Sequence, residues 1–140
     1  MKNYIVDASV IIKWFSGYDE NDLDNALTLR DQLLVKECSI LVPDLLFYEI
    51  ANALRYNSRF TEHDVKSALN SLIEMEFDVR TVESNMVEKA IEIAYAYKVS
   101  VYDSCYLALS QIEDKPFITA DYKFVERIKG FKHIIKLAQL

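Results

Sequence analysis

The sequence predicts an α/β fold, a mainly parallel five-stranded sheet with helices on both faces. Three observations predict it. Five short segments are rich in Val, Ile, Tyr and Phe, the gaps between them carry apolar residues at helical spacing, and the two kinds alternate along the chain. The strand segments are Asn3 to Val6, Ser39 to Val42, Phe77 to Val82, Pro116 to Thr119 and His133 to Leu137.

Helix starts are legible between them. Asn21 precedes Asp22, Pro43 suits a first-turn position, Ser84 opens another segment, and Thr61 with Asp64 and Ser100 with Asp103 have the spacing of capping boxes. Apolar faces follow these starts. Ala68, Leu69, Leu72 and Ile73 form one, and Val87, Ala90, Ile91, Ala94 and Tyr95 form another.

The chain has 140 residues, 51% of them apolar, which is the usual extent of one compact domain. Gly17 and Gly130 are the only glycines and Pro43 and Pro116 the only prolines, so no linker or repeat marks a second domain within residues 1–140. The apolar run from Tyr4 to Phe15 is broken by Asp7 and Lys13, which fits neither a membrane span nor a secretory signal. A cytoplasmic protein is expected. Cys38 and Cys105 match no zinc or redox spacing and read as buried thiols of a reducing compartment. A formal charge of −6 argues against a broad basic face for duplex binding and favours a basic protein partner.

Four carboxylates stand out. In a parallel sheet, ligands gather at the carboxyl ends of the strands. Asp7 follows the first strand segment, and Asp121 lies just past the fourth. Glu49 falls on a helical stripe with Leu45, Leu46 and Ala53, with Asn52 one turn on; a charge on an apolar face calls for a metal, a cation or a hydrogen-bond network. Asp103 borders a similar stripe of Val99, Tyr106 and Leu107. Each also has an ordinary reading, as a helix-start residue or half of a structural ion pair. Together they form the set of hard oxygen ligands that holds Mg2+ or Mn2+ for phosphodiester cleavage.

Several chemistries are excluded. Two glycines cannot build a phosphate-binding loop or a dinucleotide fingerprint. His63 and His133 sit in polar settings without a Ser or Cys partner, so a hydrolytic triad does not fit, and both read as surface residues. Asp19 to Asp24 begins like a calcium loop, but Leu23 and Asp24 stand where an oxygen ligand and a glycine are needed. It reads as a charged loop leading into a helix.

Four segments carry a resemblance to a known family: Ile5-Val6-Asp7-Ala8-Ser9 running on to Lys13-Trp14, Pro43 to Leu54, Tyr102 to Ser110, and Ile118 to Phe124. In order and spacing they resemble a PIN domain, specifically the VapC-type toxin ribonucleases. The resemblance spans nearly the whole chain. It implies a three-layer α/β/α sandwich and a Mg2+- or Mn2+-dependent endoribonuclease. Asp7, Glu49 and Asp103 match the metal-binding acids, Asp121 the fourth and more variable one, and Ser9 and Thr119 the polar positions that orient ligands or phosphate. Asn52 is a further supporting polar residue, and Arg55, Arg59, Lys123 and Arg127 are candidates for RNA phosphates.

The resemblance further implies a homodimer and a cognate antitoxin that blocks the site. Trp14, Phe15, Phe47 and Tyr48 are candidates for such a contact, with core packing the commoner fate of aromatics at this spacing. Two other readings stand beside it. One is a PIN-like module that binds RNA or protein without cutting. The other is a phosphatase using Asp7, although that chemistry needs a second aspartate where the chain has Ser9.

Overall fold

A computed structural model describes residues 1–17 and 20–140. Its elements run β1 (Lys2–Val6), α1 (Ala8–Ile11), α2 (Lys13–Ser16), α3 (Leu23–Leu34), β2 (Cys38–Pro43), α4 (Leu45–Arg55), α5 (Glu62–Glu74), β3 (Asp78–Arg80), α6 (Ser84–Tyr97), α7 (Val101–Glu113), β4 (Phe117–Thr119), α8 (Tyr122–Arg127) and β5 (Ile134–Lys136), closed by a 3₁₀ turn at Leu137–Gln139. The expected α/β class holds. All four strand pairings are parallel, in the order β3-β2-β1-β4-β5.

The strands explain why helices cover both faces. Tyr4, Ile5 and Val6 are consecutive and all buried, as are Ile40 to Val42 and Phe117 to Thr119. Successive side chains point to opposite faces, so a run buried without alternation needs cover on each side. On one of those layers α7 lies against β1, β2 and β4. The edge strands are shorter than the sequence suggested, since β3 keeps only Asp78–Arg80 of the expected Phe77 to Val82. Arg80 is held to Glu113 at the end of α7, which fixes that edge.

Some local expectations need correcting. Pro43 ends β2 rather than opening a helix, and Asp44 precedes the first turn of α4. Asp22, in the left-handed region at φ 62°, takes the place expected of Asn21 before α3, and Glu83 takes that of Ser84 before α6. The buried face of α6 is Met86, Ala90, Ile93 and Ala94, which leaves Ile91 and Tyr95 exposed; Ile73 on α5 is exposed as well. In each case the period was right and the phase was off by a fraction of a turn, because tertiary packing decides which flank of a broad apolar stripe faces inward. Thr61 and Asp64 do form the reciprocal capping box. Asp19 lies outside the described residues.

Among the aromatics, Trp14 is buried, stacked on Phe77 at 6.1 Å, and donates Nε1–H to the Ala26 carbonyl at 2.8 Å. Phe15 and Phe47 pack partly against the core, whereas Tyr48 is 78% exposed. Tyr48 is thus the most exposed of the four contact-surface candidates. Gly17 is required by close approach, since a Cβ there would meet the Lys13 carbonyl oxygen at 2.2 Å and Leu23 Cδ1 at 2.5 Å. Cys38 and Cys105 are free thiols, His63 is exposed, and the exposed His133 stands 3.5 Å from Asp114. No described helix is long and apolar enough to cross a membrane.

Ile5 is fully buried in the central strand. Ile5→Ala should lower unfolding free energy by about 3 kcal/mol in urea titration. Tyr48→Ala, on the surface, should stay within about 0.5 kcal/mol of the parent.

Candidate acidic centre

In the strand order β3-β2-β1-β4-β5 the chain winds one way from β1 through β2 to β3 and then resumes at β4 on the other side of β1. The switch point lies between β1 and β4, where the loops beyond the two strands diverge and leave a crevice. Asp7 follows β1 and Thr119 ends β4, so both stand at that crevice.

Hydrogen bonds tie the two turns together through one carboxylate. Asp7 Oδ1 accepts from the Ser9 backbone N–H at 2.9 Å and from the Ser9 hydroxyl, and Oδ2 accepts from Thr119 Oγ1 at 2.7 Å. The hydroxyls are themselves positioned by the second turn. Ser9 Oγ accepts from Ala120 N–H at 2.9 Å, and Thr119 Oγ1 accepts from Asp121 N–H at 3.0 Å. Each hydroxyl has a single proton, and each commits it to Asp7. The geometry thus suits the ionised carboxylate, with the Ser9 and Thr119 hydroxyls as donors to it.

Burial opposes that ionisation. Desolvation pushes the Asp7 carboxyl up to about 6, against the bonds from Ser9 and Thr119 that pull it down, and the nearby Asp121 charge adds to the rise. Glu49 shows the same conflict. It lies on α4 beside the buried line Leu46, Ile50 and Leu54, at the border of the apolar stripe rather than within it, since Ala53 is exposed. Burial pushes its carboxyl up to about 7, the Tyr106 hydroxyl lowers it by donating to Oε1 at 2.7 Å, and the charges of Asp7 and Asp103 raise it further.

Asp103 sits in the first turn of α7, where the Ser100 hydroxyl accepts from its backbone N–H at 3.0 Å. Only half of the expected capping box forms. The Asp103 carboxylate makes no return bond among the described residues, in contrast to Asp64, and so is left for another use. Asp121 does act as a helix start, its Oδ1 accepting from Phe124 N–H at 3.1 Å. Asp103 and Asp121 line one open cavity of about 200 Å³ together with Ser100, Lys123 and Arg127.

The four acids therefore form one electrostatic neighbourhood, in which Asp7 feels Asp121 and Glu49 feels both Asp7 and Asp103. Among the described residues none of them pairs with a basic group. Nor do three described His, Cys, Asp or Glu side chains already converge on a single ion position. The donors are all hard oxygens whose crowding calls for positive charge, which fits Mg2+ or Mn2+.

Of the expected basic contacts, Lys123 and Arg127 border the acids. Arg55 instead lies over the Tyr56 ring at 5.3 Å, and Arg59 stands in the turn after α4, its N–H bonded to Asn57 Oδ1; neither lines the cavity. Asn52 is exposed on α4. Tyr106 is the residue that sequence reasoning missed as a participant. A buried tyrosine three residues after Asp103 was the available signal, because a buried phenol needs a hydrogen-bond partner.

The sequence profile of the PIN domain matches residues 4–129. The chain belongs to the PIN-domain family. Its fold matches a protein from Pyrobaculum aerophilum with a TM-score of 0.65 at 18% identity, over 98% of this chain and 90% of that one. It also matches VapBC2 from Rickettsia felis, solved with a DNA fragment of its promoter, with a TM-score of 0.70 at 12% identity over 96% and 98% of the two chains. A third match is VapC20 of Mycobacterium tuberculosis, described as a sarcin-ricin loop cleaving toxin, with a TM-score of 0.62 at 16% identity over 93% and 97%. No curated protein matches in sequence.

Two measurements test the electrostatics. Asp7 and Glu49 have folded-state pKa values raised above the unfolded ones, so the stability they contribute is complete below pH 4 and lost as pH rises through 6 and 7. Without divalent cations, unfolding free energy should show this downward component between pH 4 and 7, and Glu49→Gln should flatten its upper part. In Tyr106→Phe, which removes the hydroxyl that lowers Glu49, carboxyl-resolved NMR should find Glu49 titrating above its parent midpoint of about 7.

Proposed function

We propose that this chain is a metal-dependent endoribonuclease, the toxin of a VapBC-type pair, with Asp7, Glu49, Asp103 and Asp121 as its metal-holding and catalytic acids. The observation that carries the reading is the mutual electrostatic influence of these four carboxylates beside the switch point of the sheet, Asp7 and Glu49 being pushed up by burial and by neighbouring acids, with none of the four in an ion pair among the described residues. Membership of the PIN-domain family and the fold shared with VapC toxins support it.

Mg2+ or Mn2+ held by these acids supplies Lewis acidity and charge neutralisation at an RNA phosphodiester. The protein's own part is positional. Ser9 and Thr119 fix both oxygens of Asp7 toward the crevice, Tyr106 fixes one oxygen of Glu49, and Asp103 presents a carboxylate with no hydrogen bond among the described residues. Lys123 and Arg127 beside Asp103 and Asp121 hold strand phosphates, Arg55 and Arg59 contact further phosphates of the RNA, and Asn52, on the same helix as Glu49, is a supporting polar residue.

The same reading gives residues 1–140 as a single domain, active in the cytoplasm, homodimeric and blocked by an antitoxin. The formal charge of −6 suits a basic antitoxin segment, and a toxin–antitoxin complex from Klebsiella pneumoniae shares the fold.

Purified protein should cleave RNA with Mg2+ or Mn2+ and stop on addition of a chelator. Asp7→Asn and Asp103→Asn should each lose about 100-fold or more in rate while keeping the parent circular dichroism spectrum. Parent-level cleavage by both variants would overturn the site assignment.

A further inference from the structure

Lys13, at the start of α2, keeps only 11% of its side chain exposed, and its Nζ lies 2.8 Å from Glu20 Oε2, whose side chain is 39% exposed. An ammonium so far withdrawn from water needs a counter-charge, and here the lysine is anchored while its partner lies nearer the surface. The pair lines an open cavity of about 400 Å³ together with Asn21, Asp22, Ala120 and Tyr122. That volume lies in the range of small-ligand sites, about 300–1,000 Å³.

Ala120 connects this cavity to the acidic centre. It stands between Thr119 and Asp121, and its N–H donates to the Ser9 hydroxyl that holds Asp7. The Tyr122 hydroxyl donates to Asp22 Oδ2 at 2.6 Å and accepts from Ala138 N–H at 3.0 Å, and Lys136 Nζ lies over one face of the ring at 5.9 Å, so the ring is locked in place with its other face left for stacking. Asp22 Oδ2 is engaged by that bond while the carboxylate keeps its charge, so a phosphate here depends on Lys13 once Glu20 has moved aside. An anchored cation, a fixed aromatic ring and the Asn21 amide are what one nucleotide requires: a phosphate contact, a stacking face and a base-edge partner.

The geometry points to this cavity as a nucleotide subsite beside the scissile bond, in which Lys13 binds a strand phosphate, Tyr122 stacks the base, and Glu20 is the internal stand-in that the phosphate displaces. The inference rests on the ribonuclease reading for the identity of the ligand as RNA.

The test compares Lys13→Gln, Glu20→Gln and Glu62→Gln. The last neutralises an exposed ion-paired carboxylate on α5 and controls for overall charge. Binding of a fluorescent single-stranded oligoribonucleotide is measured by anisotropy in the full chain carrying Asp103→Asn, and steady-state cleavage is measured without that change. Lys13→Gln should weaken binding roughly tenfold, reduce the salt slope by about one, and act on KM more than on kcat. Glu20→Gln should tighten binding roughly threefold, beyond any change in Glu62→Gln.

Opposite signs for the two partners support the subsite. Equal weakening by both would mark a purely structural ion pair, and an effect of Glu20→Gln no larger than that of Glu62→Gln would mark general charge; either overturns the proposal. RNA binding with these signs but without cleavage leaves the subsite standing and removes the ribonuclease reading. Cleavage by the parent with unchanged Lys13 and Glu20 variants removes the subsite alone.

Discussion

Asp7 joins two turns that are far apart in sequence, and the layout of the acidic centre depends on that junction. One oxygen gathers the turn after β1 through Ser9, and the other gathers the turn after β4 through Thr119, whose own hydroxyl receives the Asp121 N–H. The carboxylate therefore does more than occupy a crevice. It sets the distance between the strand ends that flank it, and with it the place from which Asp121 projects. An amide in its place would present one acceptor where two hydroxyl donors now converge.

That junction is built against an electrostatic gradient. Apolar layers on both faces of the sheet withdraw Asp7 from water, and the Leu46, Ile50 and Leu54 line does the same for one flank of Glu49. Three hydrogen bonds to Asp7 and one to Glu49 do not outweigh desolvation, since both carboxyls end well above their ordinary values. The fold thus holds negative charge where its own packing disfavours it. This is the condition under which a bound cation returns the most free energy, because it relieves burial and mutual repulsion together.

Much of this was legible in the residues. Segments of two periods alternating along the chain implied both the α/β class and helical cover on both faces of the sheet. Asp7 and Asp121 were readable because strand ends are where ligands gather. Which flank of each helix faces inward was not legible, as Ile91, Tyr95 and Ala53 show, because a wide apolar stripe fits its neighbours in more than one rotation. The pairing of Tyr106 with Glu49 was hidden for a different reason: it links residues on α4 and α7 that no local spacing relates. Asp103 was half legible, its spacing from Ser100 setting the helix start without revealing that its carboxylate makes no return bond to the cap.

The central place of β1 has a consequence for how the centre can move. This strand is paired on both sides, with β2 and with β4, while β3 and β5 each have one neighbour. Fraying begins at edges, where few hydrogen bonds must break, and reaches a middle strand only when the sheet comes apart. Asp7 follows that strand directly and Thr119 ends β4, which is itself paired with β1 and β5, so the amides of Ile5 and Val6 belong to the slowest class of hydrogen exchange. Glu49 and Asp103 ride instead on α4 and α7, the helices laid over the sheet. The centre thus joins one acid carried by the sheet to two carried by helices, and the bond from Tyr106 to Glu49 ties those two helices to each other.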